Sequence, residues 1–440
     1  MDTARILPNG MRFLATAPPG SSGSSGSSVY SDACLIVPVG ENHEESHQSQ
    51  CAHICEHFCS AFNGGFTKPY AFLDLRTTHS VRFNISTHED YTMYHVSHIP
   101  PEAIPDVVKF IQGVFRLMPP DPAAMRREIE IVKAENAGLT EAEGLVWSAL
   151  YWARQTRGRP SIDAILHRGM PEGIEPSTVL AFHRQHYIPA RCVLRIVRPE
   201  RTALEWDRQL SSTLTASSPM SFRPIVPVGA MTSVSEAGCA GCSVTQGAWM
   251  LPDKRYWMIC TKFFPAIHGN YGDAEIRGRV LISSCTRLTG SAGTDSGGNM
   301  SLIDYLRKQL AVAYSIKGEQ FRMKHNGMEG TLVIFTAPLS RHLTRHEAAR
   351  CVQIVNNCRR IMPSRGDISN LLARFVSHTQ PEIVQEAMKM ARIPFVSSLN
   401  WEAIRRAYSS GSNGSNGSDG FGGSGGSGEI SSVVFSMEES

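Results

Sequence analysis

No apolar stretch in this chain approaches the ~20 residues that a membrane-crossing helix needs. There is no basic block or arm either: a net charge of +3 over 440 residues is spread across both signs. Neither nucleic acid nor an anionic membrane surface is therefore implied as a partner. Charged residues make up only 19% and apolar residues 42%, an ordinary globular balance and not that of a disordered chain. The eleven cysteines are an odd count without framework-like spacing, which fits free thiols in a reducing compartment better than a disulfide scaffold. Cys239-x-x-Cys242 has no second pair to complete a zinc site and reads as packing. The first residues, MDTARILPNG, lack the apolar centre of a signal peptide and the Arg/Ser-rich pattern of a transit peptide. The expected compartment is the cytoplasm.

A chain this long exceeds what one core usually organises, so two domains of about 200 residues each are expected. Two segments stand apart: GSSGSSGSS at 20–28 and GSNGSNGSDGFGGSGGSG at 411–428. Such composition cannot bury a core. Its regularity is that of an engineered linker in place of a loop, so it carries no functional information. MRFLAT before the first linker and DACLIVPVG after it are short apolar runs of strand type, read as a hairpin whose turn was replaced. A similar opening recurs at 222–251. VLAFHRQHYIPARCVLRIVRP is an amphipathic helix running into a strand, and WEAIRRAYSS, the second linker and EISSVVFSM repeat that order. Each half also has a long helix, near 102–117 and near 344–361. The pattern predicts two related α+β domains, 1–205 and 222–440, with an interdomain linker at 206–221.

The chemistry concentrates in CAHICEHFC, residues 51–59. On a helix His53 and His57 lie one turn apart with Glu56 beside them, while Cys51, Cys55 and Cys59 line roughly the opposite side. Two neutral imidazoles one turn apart suit zinc, and a neighbouring carboxylate suits a general base. A third protein ligand is needed. PPDPAAMRREIEIVKAENAG supplies a second helix, with Asp121 as N-cap and Pro122 at its first position. On it Glu128 and Glu135, seven apart, share a face and Glu130 points away. Periodicity does not choose between Glu128 and Glu135.

His53-x-x-Glu56-His57 followed by EIEIVKAE at 128–135 resembles the inverted zinc motif of the pitrilysin family, which includes insulin-degrading enzyme and the mitochondrial processing peptidase. LPNGMRF at 7–13, HRQHYIPARCVLRIV and LRKQLAVAYSI at 306–316 resemble further family segments. The resemblance implies one half of a clamshell-type zinc peptidase, each domain a mostly antiparallel sheet packed with helices. It makes Glu135 the third ligand of one Zn2+ per chain and Glu128 the carboxylate that buttresses the site. It makes Arg307 and Tyr314 a pair that binds substrate backbone and the scissile carbonyl from the opposing half. The family's edge strand opens Asn-Ala-x-Thr, and in GGFTKPYAFLDLRTTHSVRF the expected place holds Thr67, Lys68 and Pro69.

The implied activity is zinc-dependent hydrolysis of short or unstructured peptides, with Glu56 as base and no nucleophilic Ser or Cys. Half of a four-domain shell implies a homodimer, or a heterodimer with a related subunit. The alternatives are a dedicated leader-peptide protease working with a partner subunit, and a non-catalytic peptide-binding scaffold. TGSAGTDSGGN at 289–299 precedes no Walker lysine and is not read as a phosphate loop.

Overall fold

The computed structural model describes residues 3–18, 30–117, 121–138, 174–213, 249–250, 256–266, 271–286, 300–325, 328–341, 343–358, 381–393 and 403. They fall into two units.

The first unit is built on six strands: β1 Thr3–Ile6, β2 Arg12–Thr16, β3 Ser31–Val37, β4 Arg82–Thr87, β5 Thr92–Ile99 and β6 Val193–Val197. Their order in the sheet is β1-β2-β6-β3-β5-β4. The run SDACLIV of β3 is buried along nearly its whole length because it is an interior strand. It pairs antiparallel with β5 on one side and with β6 on the other. The expected hairpin of MRFLAT and DACLIVPVG is therefore absent. β6 lies between them, parallel to β2 and antiparallel to β3, so β2 and β3 stand about 10 Å apart, two strand spacings. Both runs have the strand signature, but period-2 patterning does not name a strand's neighbour. Here the apolar VLRIV of β6, far along the chain, fits between two apolar strands better than either fits the other.

Helices cover both faces. On one lie α1 Cys51–Ala61, α3 Ile104–Gly113, α4 Pro122–Gly138, α5 Pro176–His186 and α6 Ala203–Thr213, with the short α2 Asp74–Thr78 preceding β4. Phe13, Leu35, Tyr94, Val96, Leu194 and Ile196 of the sheet share one buried core with Ile54, Phe58, Phe110 and Phe182 of these helices. Full burial of each large side chain contributes roughly 1.5–3 kcal/mol. Residues 206–213 belong to α6 and do not form a linker: Trp206 and Leu210 are fully buried. Trp206 Nε1 also donates to Ser31 Oγ at 3.1 Å, satisfying the one polar atom of a ring that would otherwise be costly to bury. Spacing four apart on one helical face was the available sign.

The opposite face of β3 and β6 is covered by a helix from late in the sequence, Glu382–Ala391. Its apolar side, Ile383, Val384, Ala387 and Met388, is buried. Arg12 donates to the Met390 carbonyl beyond β2. This helix falls inside 222–440 by position, yet it belongs with the first unit.

The second unit has an antiparallel sheet of β7 Trp249–Met250, β8 Tyr256–Pro265, β9 Lys317–His325 and β10 Met328–Leu339, ordered β7-β8-β10-β9. Against it pack α7 Tyr271–Thr286 and the helix Arg345–Cys358. Between α7 and β9, a helical turn at Leu302–Asp304 runs on into a π-helical turn, Tyr305–Gln309. Met258, Cys260, Leu281, Phe335 and Val355 form its core. The fold class is thus α+β in both units. The recurring opening at 222–251 and the closing WEAIRRAYSS to EISSVVFSM lie almost wholly outside the described residues, as do Cys239, Cys242 and 289–299. Among the described residues, no helix is long and apolar enough to cross a membrane.

Candidate metal centre

α1 begins where Gln50 takes a left-handed conformation, φ 68°. Its first amides are met by the Glu44 carboxylate, which accepts from Gln50 N at 2.9 Å and Ala52 N at 2.8 Å. A carboxylate at this end also complements the helix dipole. Cys51, Ile54, Cys55, Phe58 and Cys59 are fully buried, which fixes the roll of the helix. The thiols are the packed back, and burial pushes Cys51 up to about 12, so it stays a protonated thiol near neutrality. The other side carries His53, Glu56 and His57, with the two imidazole centroids 5.0 Å apart.

α4 starts as its sequence predicts, Asp121 accepting from Ala123 N and Ala124 N at 3.2 Å each. Met125, Ile129 and Val132 are buried and bring the helix against α1. Glu135 Oε2 then lies 3.7 Å from His53 Nε2 and 3.4 Å from His57 Nε2. One donor atom from each of the three lies within 4.8 Å of the others. Donors on arms of about 2.05 Å at a tetrahedral angle are about 3.3 Å apart, so the set fits a small divalent cation. Among the described residues, the ion-pair partners of Glu128 and Glu135 are the two imidazoles. Glu135 is half exposed, 51% at its side chain, which leaves an open side.

Glu128 does not join the triad. It is nearly buried, 7% exposed, and its Oε2 lies 3.8 Å from His57 Nδ1. That arrangement favours His57 with its proton on Nδ1 and its Nε2 lone pair free. Tyr70 donates to the same Glu128 oxygen at 2.5 Å. Thr87 Oγ1, at the end of β4, donates to Glu56 Oε2 at 3.0 Å. Burial pushes Glu56 up from the usual carboxylate range, against the opposing pull of His57 and Thr87. Burial, then His57, lowers His53 to about 4, so this imidazole is neutral near pH 7. Burial also acts against the His57 cation, but Glu128, Glu56 and Glu135 outweigh it and raise His57. A cation-seeking cluster behaves this way when a proton holds the charge.

Residues 22–153 match the insulinase family, peptidase family M16. Among curated proteins, none matches the chain in sequence. A likeness of fold to solved M16 structures extends over 93% of the chain. Pitrilysin is similar at 17% identity and a TM-score of 0.53, over 93% of this chain and 43% of pitrilysin. A protease from Helicobacter pylori is similar at 13% identity and 0.52, over 93% of this chain and 96% of that one. An inactive M16 peptidase domain from Pseudomonas fluorescens is similar at 11% identity and 0.59, over 92% and 94%. At these identities the likeness is one of fold. The chain spans less than half the length of pitrilysin.

The sequence spacing places an edge strand at 67–69, and the structure has none there. Residues 67–70 are bend and turn, followed by a 3-10 turn at Ala71–Leu73 and by α2. The outermost strand on this side is β4, and Asn84-Ile85-Ser86-Thr87 on it carries the Asn-x-x-Thr spacing. Pro69 and the Gly64-Gly65 turn break the earlier stretch: a Cβ on Gly64 would sit 1.7 Å from the Arg116 carbonyl oxygen. Arg307 and Tyr314 meet within the second unit, the guanidinium carbon 4.4 Å from the ring centroid, with Tyr314 76% exposed. Sequence reasoning missed Tyr70, Thr87 and Glu44. Only Thr87 had a sequence sign, the Asn-x-x-Thr run.

A second imidazole pair, His43 and His186, lies 6.2 Å apart between centroids. His186 Nε2 is buried without a partner. Burial, then His43 and Arg191, lowers His186 to about 4. An unfolded imidazole titrates near 6.5, so between these values the unfolded chain binds the extra proton and stability falls as pH falls. Replacing His186 with Gln is expected to flatten the dependence of melting temperature on pH between about 6.5 and 4. Parallel wild-type and variant curves would remove His186 as the cause.

Proposed function

We propose that this chain is a zinc-dependent metallopeptidase that hydrolyses peptide bonds in short or unstructured peptides. The observation that carries the reading is the convergence of His53, His57 and Glu135 from two helices, with a hydrogen-bonded Glu56 beside them. A His2Glu set with an open side is the donor chemistry of catalytic zinc. Zinc held there would supply Lewis acidity, polarising the scissile carbonyl and acidifying water.

The remaining work falls to the chain's own groups. Glu56 takes the proton of the attacking water and passes it to the leaving amine. Its raised pKa suits that double role, since a base that also acts as an acid works best near the operating pH. Thr87 holds one Glu56 oxygen and leaves the other free. β4 offers an outer edge along which an extended peptide would add as a strand, running beside Glu56 through Thr87. Arg307 and Tyr314 bind substrate backbone and carbonyl in this reading. Because the M16 likeness spans half of a pitrilysin-sized protein, two identical chains complete each other's sites, each lending Arg307 and Tyr314.

The likeness to an inactive M16 domain favours one second reading, a peptide-binding scaffold. A mixture of unstructured peptides distinguishes them. Cleavage is expected to stop with chelator and return with stoichiometric zinc. Zinc binding without any cleavage would favour the scaffold, and one cut in one cognate peptide would favour leader processing.

A further inference from the structure

The segment between α1 and β4 places one side chain in the centre that no motif contains. Asn63 ends the turn after α1, its Nδ2 donating to the carbonyls of Cys59 and Phe110 at 3.1 Å each. Its Oδ1 accepts from Gly65 N at 3.0 Å. The chain then doubles back, and Tyr70 N donates to the Ala61 carbonyl at 3.2 Å. Tyr70 itself is left-handed, φ 56° and ψ 14°, a conformation rare for a bulky aromatic residue and found most often where structure is held for function. What this backbone achieves is the placement of one phenol oxygen 2.5 Å from Glu128 Oε2.

Glu128 needs such a donor. It is nearly buried, and an isolated carboxylate there would be free to turn away from His57 or to compete with Glu135 for a cation. The oxygen that Tyr70 grips is the one facing His57 Nδ1 at 3.8 Å. A partner on the non-ligating nitrogen fixes an imidazole's tautomer and ring angle. The path from Tyr70 to His57 runs through Glu128.

We propose that Tyr70 is a positioning residue for the metal ligand His57, acting through Glu128. The proposal rests on the metallopeptidase reading. Removing only the phenol oxygen, in Y70F, keeps the ring and tests it. Cobalt(II), followed by its visible spectrum and by chelator competition, reads affinity without reference to activity. Y70F is expected to bind about 10–100-fold more weakly, the cost typical of losing an outer partner of a ligand. The lost hydrogen bond to a nearly buried carboxylate is expected to lower its metal-free melting temperature slightly, so cobalt affinity is read well below that transition. In an E128A background the Y70F change adds nothing, because the relay is already cut. Wild-type affinity in Y70F overturns the proposal, as does an undiminished effect in the E128A background. A rise in KM alone, with affinity unchanged, also overturns it and makes Tyr70 a substrate contact. A wild-type protein that binds no cobalt or zinc overturns the metallopeptidase reading itself, and this proposal with it.

Discussion

Glu56→Gln is expected to lower peptide hydrolysis by about 10²–10⁴-fold while leaving zinc binding nearly intact. That range corresponds to about 3–5 kcal/mol of lost transition-state stabilisation. The substitution is close to isosteric, and the amide oxygen it introduces can still accept from Thr87 as the Glu56 carboxylate does at 3.0 Å. The roll of α1 is set by Cys51, Cys55, Phe58 and Cys59 on its far side, so His53 and His57 keep their places. What disappears is the capacity to take a proton. Hydrolysis of a fluorogenic unstructured peptide, paired with a zinc titration of the same preparation, measures both sides. Activity within tenfold of wild type would remove Glu56 from the mechanism. Loss of zinc along with activity would mean that the variant had disturbed the ligands instead.

The second large effect is a recovery. Glu56→Gln chains and Arg307→Ala chains are each expected to be nearly inactive alone. Mixed in equal amounts and allowed to exchange, they form mixed dimers in which one site carries both defects and the other carries neither. Random pairing makes half of the dimers mixed, so activity returns to about one quarter of wild type, provided that Arg307 serves its partner across a two-fold interface. If Arg307 serves its own chain, every mixed site keeps one defect and nothing returns. Sedimentation of the wild-type protein decides the premise separately: full activity in a strict monomer ends the dimer proposal.

How far the sequence discloses this arrangement depends on the kind of information each part needs. The two faces of α1 are legible because helical periodicity is local: thiols at 51, 55 and 59 and imidazoles at 53 and 57 cannot share a side. The capping of α4 by Asp121 is legible for the same reason. The choice of Glu135 over Glu128 is not, since both share a face, and only the approach of α4 to α1 separates a donor at 3.4 Å from His57 Nε2 from one that faces Nδ1. Strand pairing is the least legible. β2 and β3 look like neighbours until β6 comes between them, because alternation describes which way side chains point and says nothing about the next strand. Tyr70 leaves no sign at all, as its role depends on a backbone angle.

The helix Glu382–Ala391 on the back of β3 and β6 gives the first unit a timetable. Its last strand ends at Val197 and this helix begins at Glu382, 185 residues later in synthesis. At about 5–20 residues per second, roughly 10–40 seconds pass between them on the ribosome. Throughout that interval the side of β3 and β6 that this helix packs on, where Cys34, Ile36 and Val193 are fully buried in the finished fold, lacks that cover. The unit that holds His53, His57 and Glu135 is begun first and finished last.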